Sequence, residues 1–95
     1  MKPQSIQSAS QLFHVLSDET RLRLISALQD GEKHVTSLCK KLRVPQPTVS
    51  HHLALLRIHG LLINRRRGKS VFYSINEEAF KRGAVLAAEL FNRQR

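Results

Sequence analysis

Two groups of side chains in this chain could do chemistry, and they lie close together. The first is Gln46, Thr48, Ser50 and His51; the second is Arg65, Arg66, Arg67 and Lys69, interrupted by Gly68. The first group offers amide, hydroxyl and imidazole hydrogen bonds. A Gln amide matches the edge of adenine in a bidentate way, and Ser and His can bond bases or phosphates. Thr48 stands near the start of an expected helix, where free backbone amides also favour a phosphate. The second group is purely cationic. It suits the phosphate backbone, which positions a protein on DNA but carries little direct sequence information. Arg57 is a further phosphate candidate. A base-reading element followed by a phosphate-gripping one is what double-stranded DNA requires.

The elements that position these groups follow from the apolar pattern. Val49, Leu53 and Leu56 form one helical stripe, predicting a helix from about Gln46, with Pro47 tolerated in its first turn, to Gly60. With that stripe inward, Gln46, Pro47, Ser50, His51 and Ala54 take the opposite side. His52 lies three after Val49 and four before Leu56, so it belongs beside the core as a packed, hydrogen-bonded histidine. Leu62 to Arg65 and Val71 to Ile75 are strand-like. Arg65-Arg66-Arg67-Gly68-Lys69 is their turn, with Gly68 supplying the backbone freedom.

Upstream, residues 1–5 read as a loose tail. Ala9, Leu12, Phe13 and Leu16 predict a first helix from about Ser5 to Ser17. Asp18 can cap a second, with Leu22, Ile25 and Leu28 inward and Arg21 and Arg23 outward. Asp30-Gly31 stops it. Thr36 can cap a short third helix carrying Leu38, Cys39 and Leu42, which Arg43-Val44-Pro45 breaks. Asn76 can cap a last helix running to about Arg93. The order is α-α-α-α-β-β-α: a mainly α, winged helix-turn-helix fold in a single domain over residues 1–95.

Composition agrees. The chain has 95 residues with 16 Lys and Arg against 7 Asp and Glu, a net charge of +9 that favours a polyanionic partner. One Cys gives no disulfide framework. No apolar run approaches the roughly 20 residues needed to cross a bilayer, and Met1-Lys2-Pro3-Gln4-Ser5 does not lead into an apolar leader. A cytoplasmic protein without membrane contact is expected. Ser50 and Cys39 lack a matched base and acid in any catalytic arrangement, so no enzyme and no cofactor are expected. The few carboxylates fall mainly at helix starts and turns, where capping explains them.

The last helix has a face of small residues, Gly83, Ala84, Ala87 and Ala88, edged by Phe80, Leu90 and Phe91. The first helix offers a matching stripe of Leu12, Phe13 and Leu16. A homodimer built on these terminal helices is expected. Its two-fold axis would set two recognition helices roughly 34–36 Å apart on a palindromic site.

Three motifs in order carry a family likeness: Leu16-Ser17-Asp18-Glu19-Thr20-Arg21-Leu22-Arg23-Leu24-Ile25, then Pro47-Thr48-Val49-Ser50-His51-His52-Leu53, then Gly68-Lys69-Ser70-Val71-Phe72-Tyr73. Over about residues 9–90 the chain resembles the ArsR/SmtB family of dimeric winged-helix regulators. The resemblance implies a transcription regulator, usually a repressor, whose dimer rests on the first and last helices. It also implies that Gln46, Thr48, Ser50 and His51 belong to the DNA-contacting helix. One metal site of the family uses a Glu-Leu-Cys-Val-Cys pattern; here it reads Glu32-Lys33-His34-Val35-Thr36. A second draws Asp and His from the last helix, where this chain has Glu77-Glu78-Ala79-Phe80 and Leu90-Phe91-Asn92-Arg93. No metal site is expected, and His34 is the one remaining ligand candidate. Cys39 is the one redox candidate, but it falls on an inward stripe and has no partner cysteine. The effector is then an unidentified protein or small molecule, if the chain has one. The alternatives are a metal- or redox-responsive repressor using His34 or Cys39, or a winged-helix module that binds acidic protein.

Overall fold

Helix α4 (Gln46–Ile58) sets the architecture. Its apolar residues Val49, Leu53 and Leu56 are wholly buried, packed with Leu24, Leu28 and Leu38 in one core cluster. The computed structural model describes residues 1–92. Around α4 lie α1 (Pro3–Leu16), α2 (Glu19–Ala27), β1 (Lys33–His34), α3 (Val35–Leu42), β2 (Leu62–Arg67), β3 (Ser70–Ile75) and α5 (Glu77–Phe91). Helices α3 and α4 are joined by residues 43–45, a helix-turn-helix unit, and β2 and β3 form the wing.

The helix ends are chemically specified. Asp18 Oδ1 accepts the Arg21 N–H at 3.0 Å, and this hydrogen bond, first among its causes, holds the Asp18 carboxyl below its ordinary value. Asn76 Oδ1 accepts the Ala79 N–H at 3.4 Å. Helix α3 is capped by His34, whose Nδ1 accepts the Thr36 N–H at 3.2 Å; Thr36, expected as the cap, lies inside the helix. Imidazole can serve as an N-cap because a neutral ring nitrogen accepts as a hydroxyl oxygen does. Arg43 closes α3 in the left-handed region at φ 57°, and Arg23 Nη2 donates to the terminal Leu42 carbonyl at 2.9 Å.

Further expectations need correction. Residues 3–5 belong to α1, so the loose tail shrinks to the two residues before Pro3, which sits well at a first helical position. In α2 the buried stripe is Leu24, Ile25 and Leu28, while Leu22 is 50% exposed. Arg21, read as outward, shares the inner side with that stripe and reaches α1 and α4. The two-residue strand β1 was not anticipated. It pairs antiparallel with β3 (Lys33↔Tyr73, His34↔Phe72) in a sheet ordered β1-β3-β2. Finally, β2 and β3 stay paired from Leu62↔Ile75 to Arg67↔Ser70. The turn is only Gly68-Lys69, with Gly68 at φ 60°, and the three arginines are strand residues.

The terminal helices pack together closely because Gly83 has no side chain: a Cβ there would meet Leu12 Cδ2 at 2.9 Å. α5 ends at Phe91; the end expected at Arg93 lies outside the described residues. The fold measures 52 × 23 × 22 Å with a radius of gyration of 14.8 Å. A compact chain of this length would have about 12 Å.

Leu53→Ala should lower unfolding free energy by about 2–5 kcal/mol, because it opens a cavity under the recognition helix. Leu22→Ala, at an exposed position, should stay within about 0.5 kcal/mol. Urea denaturation of both variants checks the corrected face of α2.

Candidate nucleic-acid interface

Burial of the α4 stripe leaves Gln46, Thr48 and His51 exposed and Ser50 half-buried; Arg57 is exposed in the last turn. Gln46 and Ser50 share a notch of about 280 Å³ with Thr36 from α3 and Lys69 and Tyr73 from the wing. Residues far apart in sequence thus meet on one face, with a gap between helix and wing.

His51 and His52 diverge as adjacent helical residues must, with ring centroids 5.6 Å apart and ring planes at 63° to each other. His52 turns inward, where its Nδ1 lies 3.2 Å from Arg21 Nη1. A guanidinium can only donate, so His52 accepts at Nδ1. Arg21 Nε also donates to the Val15 carbonyl at 2.6 Å. One arginine of α2 therefore holds the end of α1 and the middle of α4. His52 is packed and bonded as its spacing predicts; nothing in the pattern around Arg21 announced its role.

The wing separates its cations. Strand alternation puts Asn64 and Arg66 on the face of Leu62 and Tyr73, and Ile63, Arg65 and Arg67 on the face of Phe72. Arg66, Arg67 and Lys69 are exposed, and the Arg67 guanidinium sits 5.9 Å from the Phe72 ring centre. Arg65 differs: its Nε and Nη2 contact the two Glu32 carboxylate oxygens at 2.5 and 2.8 Å. That hydrogen bonding holds the Glu32 carboxyl below its ordinary range and raises Arg65. Phe72 also meets the His34 ring edge-on, centroids 5.3 Å apart. Glu32 and Phe72 stood in the sequence without any signal of this arrangement.

Charge is segregated as well. From Lys33 to Asn76 the chain has no acidic residue, while Lys33, Lys40, Lys41, Arg43, Arg57, Arg65, Arg66, Arg67 and Lys69 all fall within that span. Helix α3, helix α4 and the wing thus contain no acidic residue of their own.

The metal and redox candidates sit elsewhere. His34 has Nδ1 committed to the cap of α3, and Cys39 is half-buried against the core. Among the described residues, no three His, Cys, Asp or Glu side chains come together as a metal site. Of the residues expected at a dimer interface, Leu12, Leu16 and Phe80 pack partly on the core. Phe13, Leu90 and Phe91 remain 39%, 47% and 79% exposed. Leu12, Phe13, Leu16, Phe80, Ala84 and Ala87 line an open apolar groove of about 260 Å³.

Fold and surface together define a winged helix-turn-helix protein of the DNA-binding transcriptional regulator class. The chain belongs to the arsR family of bacterial regulatory proteins, whose family model matches residues 18–64. It is 49% identical over 67 residues to the arsenical resistance operon repressor of Escherichia coli K12, covering 70% of this chain and 57% of that repressor. It therefore spans little more than half the length of that curated relative. The uncharacterized HTH-type transcriptional regulator MJ1325 of Methanocaldococcus jannaschii is 34% identical over 85 residues, 88% of this chain and 96% of the relative. Among solved structures, HlyU from Vibrio cholerae N16961 superposes with a TM-score of 0.78 at 30% identity, covering 96% of this chain and 98% of that one. The family is one of DNA-binding regulators and not of enzymes. Among the described residues, no helix is long and apolar enough to cross a membrane.

The Glu32–Arg65 pair makes an acid-side prediction. Folding lowers the Glu32 pKa, so the pair's contribution is complete above the unfolded value and is lost as pH falls through the folded one. Between neutral pH and about pH 3, the wild-type melting temperature should fall further than that of Glu32→Gln, and molar salt should shrink the difference. Equal falls in low salt would mean the pair contributes nothing to stability.

Proposed function

We propose that this chain is a homodimeric, sequence-specific repressor that binds a palindromic site in double-stranded DNA. The observation that carries this reading is the juxtaposition of Gln46 and Ser50 with the wing's Lys69 across an open notch, on elements whose own sequence, Lys33 to Asn76, contains no acidic residue. Helix α4 enters the major groove with Gln46, Ser50 and His51 at base edges, and Thr48 meets a phosphate at the helix start. Arg66, Arg67, Lys69 and Arg57 grip the backbone on either side.

The elongated shape and the exposed Phe13, Leu90 and Phe91 support dimerisation through α1 and α5. Exposed apolar surface next to an apolar groove is stabilised when a second copy covers it. The basic surface and the absence of a long apolar helix among the described residues fit action in the cytoplasm. The response named for the Escherichia coli relative does not transfer on donor chemistry. Positions 34 and 36 are His and Thr, and the His34 ring caps α3.

In vitro selection from a random duplex pool tests the whole reading; it should return an inverted repeat with half-sites one helical turn apart. Failure to enrich any sequence would overturn it. Gln46→Ala should relax preference at one base position in each half-site, about 1–3 kcal/mol of discrimination, and leave binding to random duplex unchanged. Arg66→Ala should weaken operator and random duplex alike and reduce the log–log salt slope by about one per subunit.

Ala87→Arg places a charge in the terminal-helix groove. Sedimentation should show a monomer, and operator affinity should fall despite the added positive charge. A dimer that binds more tightly would place the subunit contact elsewhere.

A further inference from the structure

We propose that Glu32 and Arg65 act as a strap that fixes the angle of the wing against the helix-turn-helix, and that Arg65 itself makes no phosphate contact. The proposal rests on the DNA-binding reading above and changes the role of one of its expected contacts.

The argument begins with how little backbone joins the wing to the rest of the fold. β1 contributes two residues, Lys33 and His34, paired with Tyr73 and Phe72. Beyond that pairing, β2 and β3 continue as a two-stranded ribbon to Gly68-Lys69. Two-stranded ribbons twist more freely than wider sheets and are only marginally stable alone. A recognition surface shared between α4 and the wing tip needs that freedom removed.

The outer face of the sheet supplies the restraint. β3 is the central strand, so β1 and β2 are not neighbours. Arg65 lies opposite Phe72 on one side, and His34 lies opposite Phe72 on the other. Glu32 immediately precedes β1. The Arg65 side chain therefore crosses the face of β3 to reach it, and both contacts form, at 2.5 and 2.8 Å. A two-pronged guanidinium–carboxylate contact fixes orientation as well as distance, which a single ammonium cannot do. Phe72 lies between, meeting the His34 ring at 5.3 Å and the Arg67 guanidinium at 5.9 Å. Because His34 caps α3, the strap ties the wing to the first helix of the DNA-binding unit.

Charge supports the assignment. Glu32 is the last acidic residue before the basic stretch that ends at Asn76. A bare carboxylate at that border would repel phosphate. Paired with Arg65 it neutralises one cation of the wing, so the pair contributes geometry and little net attraction. Glu32 and Arg65 are positioning residues on this account.

Two variants test it. Glu32→Gln removes a negative charge, so electrostatics alone predicts tighter binding to every duplex. The strap predicts instead about two- to fivefold weaker binding to the selected operator, with random duplex of equal length unchanged or tighter. Arg65→Lys keeps the charge and loses the fork. It should weaken operator binding by a similar factor with the salt slope intact. Fluorescence anisotropy over a salt series reads all four combinations. Amide hydrogen exchange in the DNA-free protein gives an independent readout: residues 65–72 should exchange faster in both variants than in wild type, while α4 stays protected. Faster wing exchange in a protein that selects no DNA sequence would uphold the strap and defeat the functional reading. Unchanged wing exchange, or Glu32→Gln tightening on operator as much as on random duplex, would overturn the strap. A third variant, Arg65→Gln, tests the phosphate clause: a salt slope lowered by about one per subunit would overturn it.

Discussion

Val49, Leu53 and Leu56 have no exposure to solvent, and that constraint decides what the rest of the surface can do. A helix desolvated along one stripe cannot rotate about its own axis without exposing several side chains, each worth about 1.5–3 kcal/mol of burial. The opposite side therefore presents a fixed set of groups: Gln46, Ser50 and His51. The partners that fill the stripe from outside, Leu24, Leu28 and Leu38, come from α2, its C-terminal cap and α3. Two short helices thus have the task of aiming a third. Their own ends are secured by side chains, with Asp18 at the start of α2, His34 at the start of α3, and Arg23 on the last carbonyl of α3.

The wing depends on the same core at one remove. Leu62 and Tyr73 are buried, and they anchor the base of the hairpin to the helices. Beyond them β2 is exposed and cationic, while Ser70, Val71 and Phe72 of β3 are half-buried and uncharged. Hydrophobic burial therefore sets where the wing starts, while polar contacts set where its tip points. This division of labour explains why like charges can crowd at the tip. Arg65, Arg66, Arg67 and Lys69 repel one another, but each is solvated, neutralised by Glu32, or set against the Phe72 ring.

The helical frame was legible because its signals are local. The Val49, Leu53 and Leu56 stripe, the Asp18 and Asn76 caps and the Pro45 break each need only a few neighbouring residues. The departures have non-local causes. Leu22 lies three before Ile25 and Leu24 four before Leu28, so both fit helical spacing, and only the packing of α2 against α1 and α4 selects Leu24. Strand β1 is too short to alternate, and it exists because β3 offers an open edge. The arginines of the wing looked like a turn because a cationic run beside glycine reads as one; pairing with the Ser70–Ile75 strand makes them strand residues. Arg65 looked like one more phosphate contact because its partner lies far upstream at Glu32. In the candidate site the residue types were legible, and their division into tied and untied cations was not.

Arg21 shows how the two ends of the molecule are joined. Its backbone N–H completes the Asp18 cap, its Nε holds the Val15 carbonyl at the end of α1, and its Nη1 meets His52 on α4. α1 lies against α5 through the close contact at Gly83, so the apolar groove and the recognition helix are linked by a short path of packed and bonded groups. Arginine is suited to this position because its stem can lie along apolar neighbours while its fork satisfies two acceptors at once. The angle between α4 and the terminal helices is thus held by one polar side chain as well as by apolar packing.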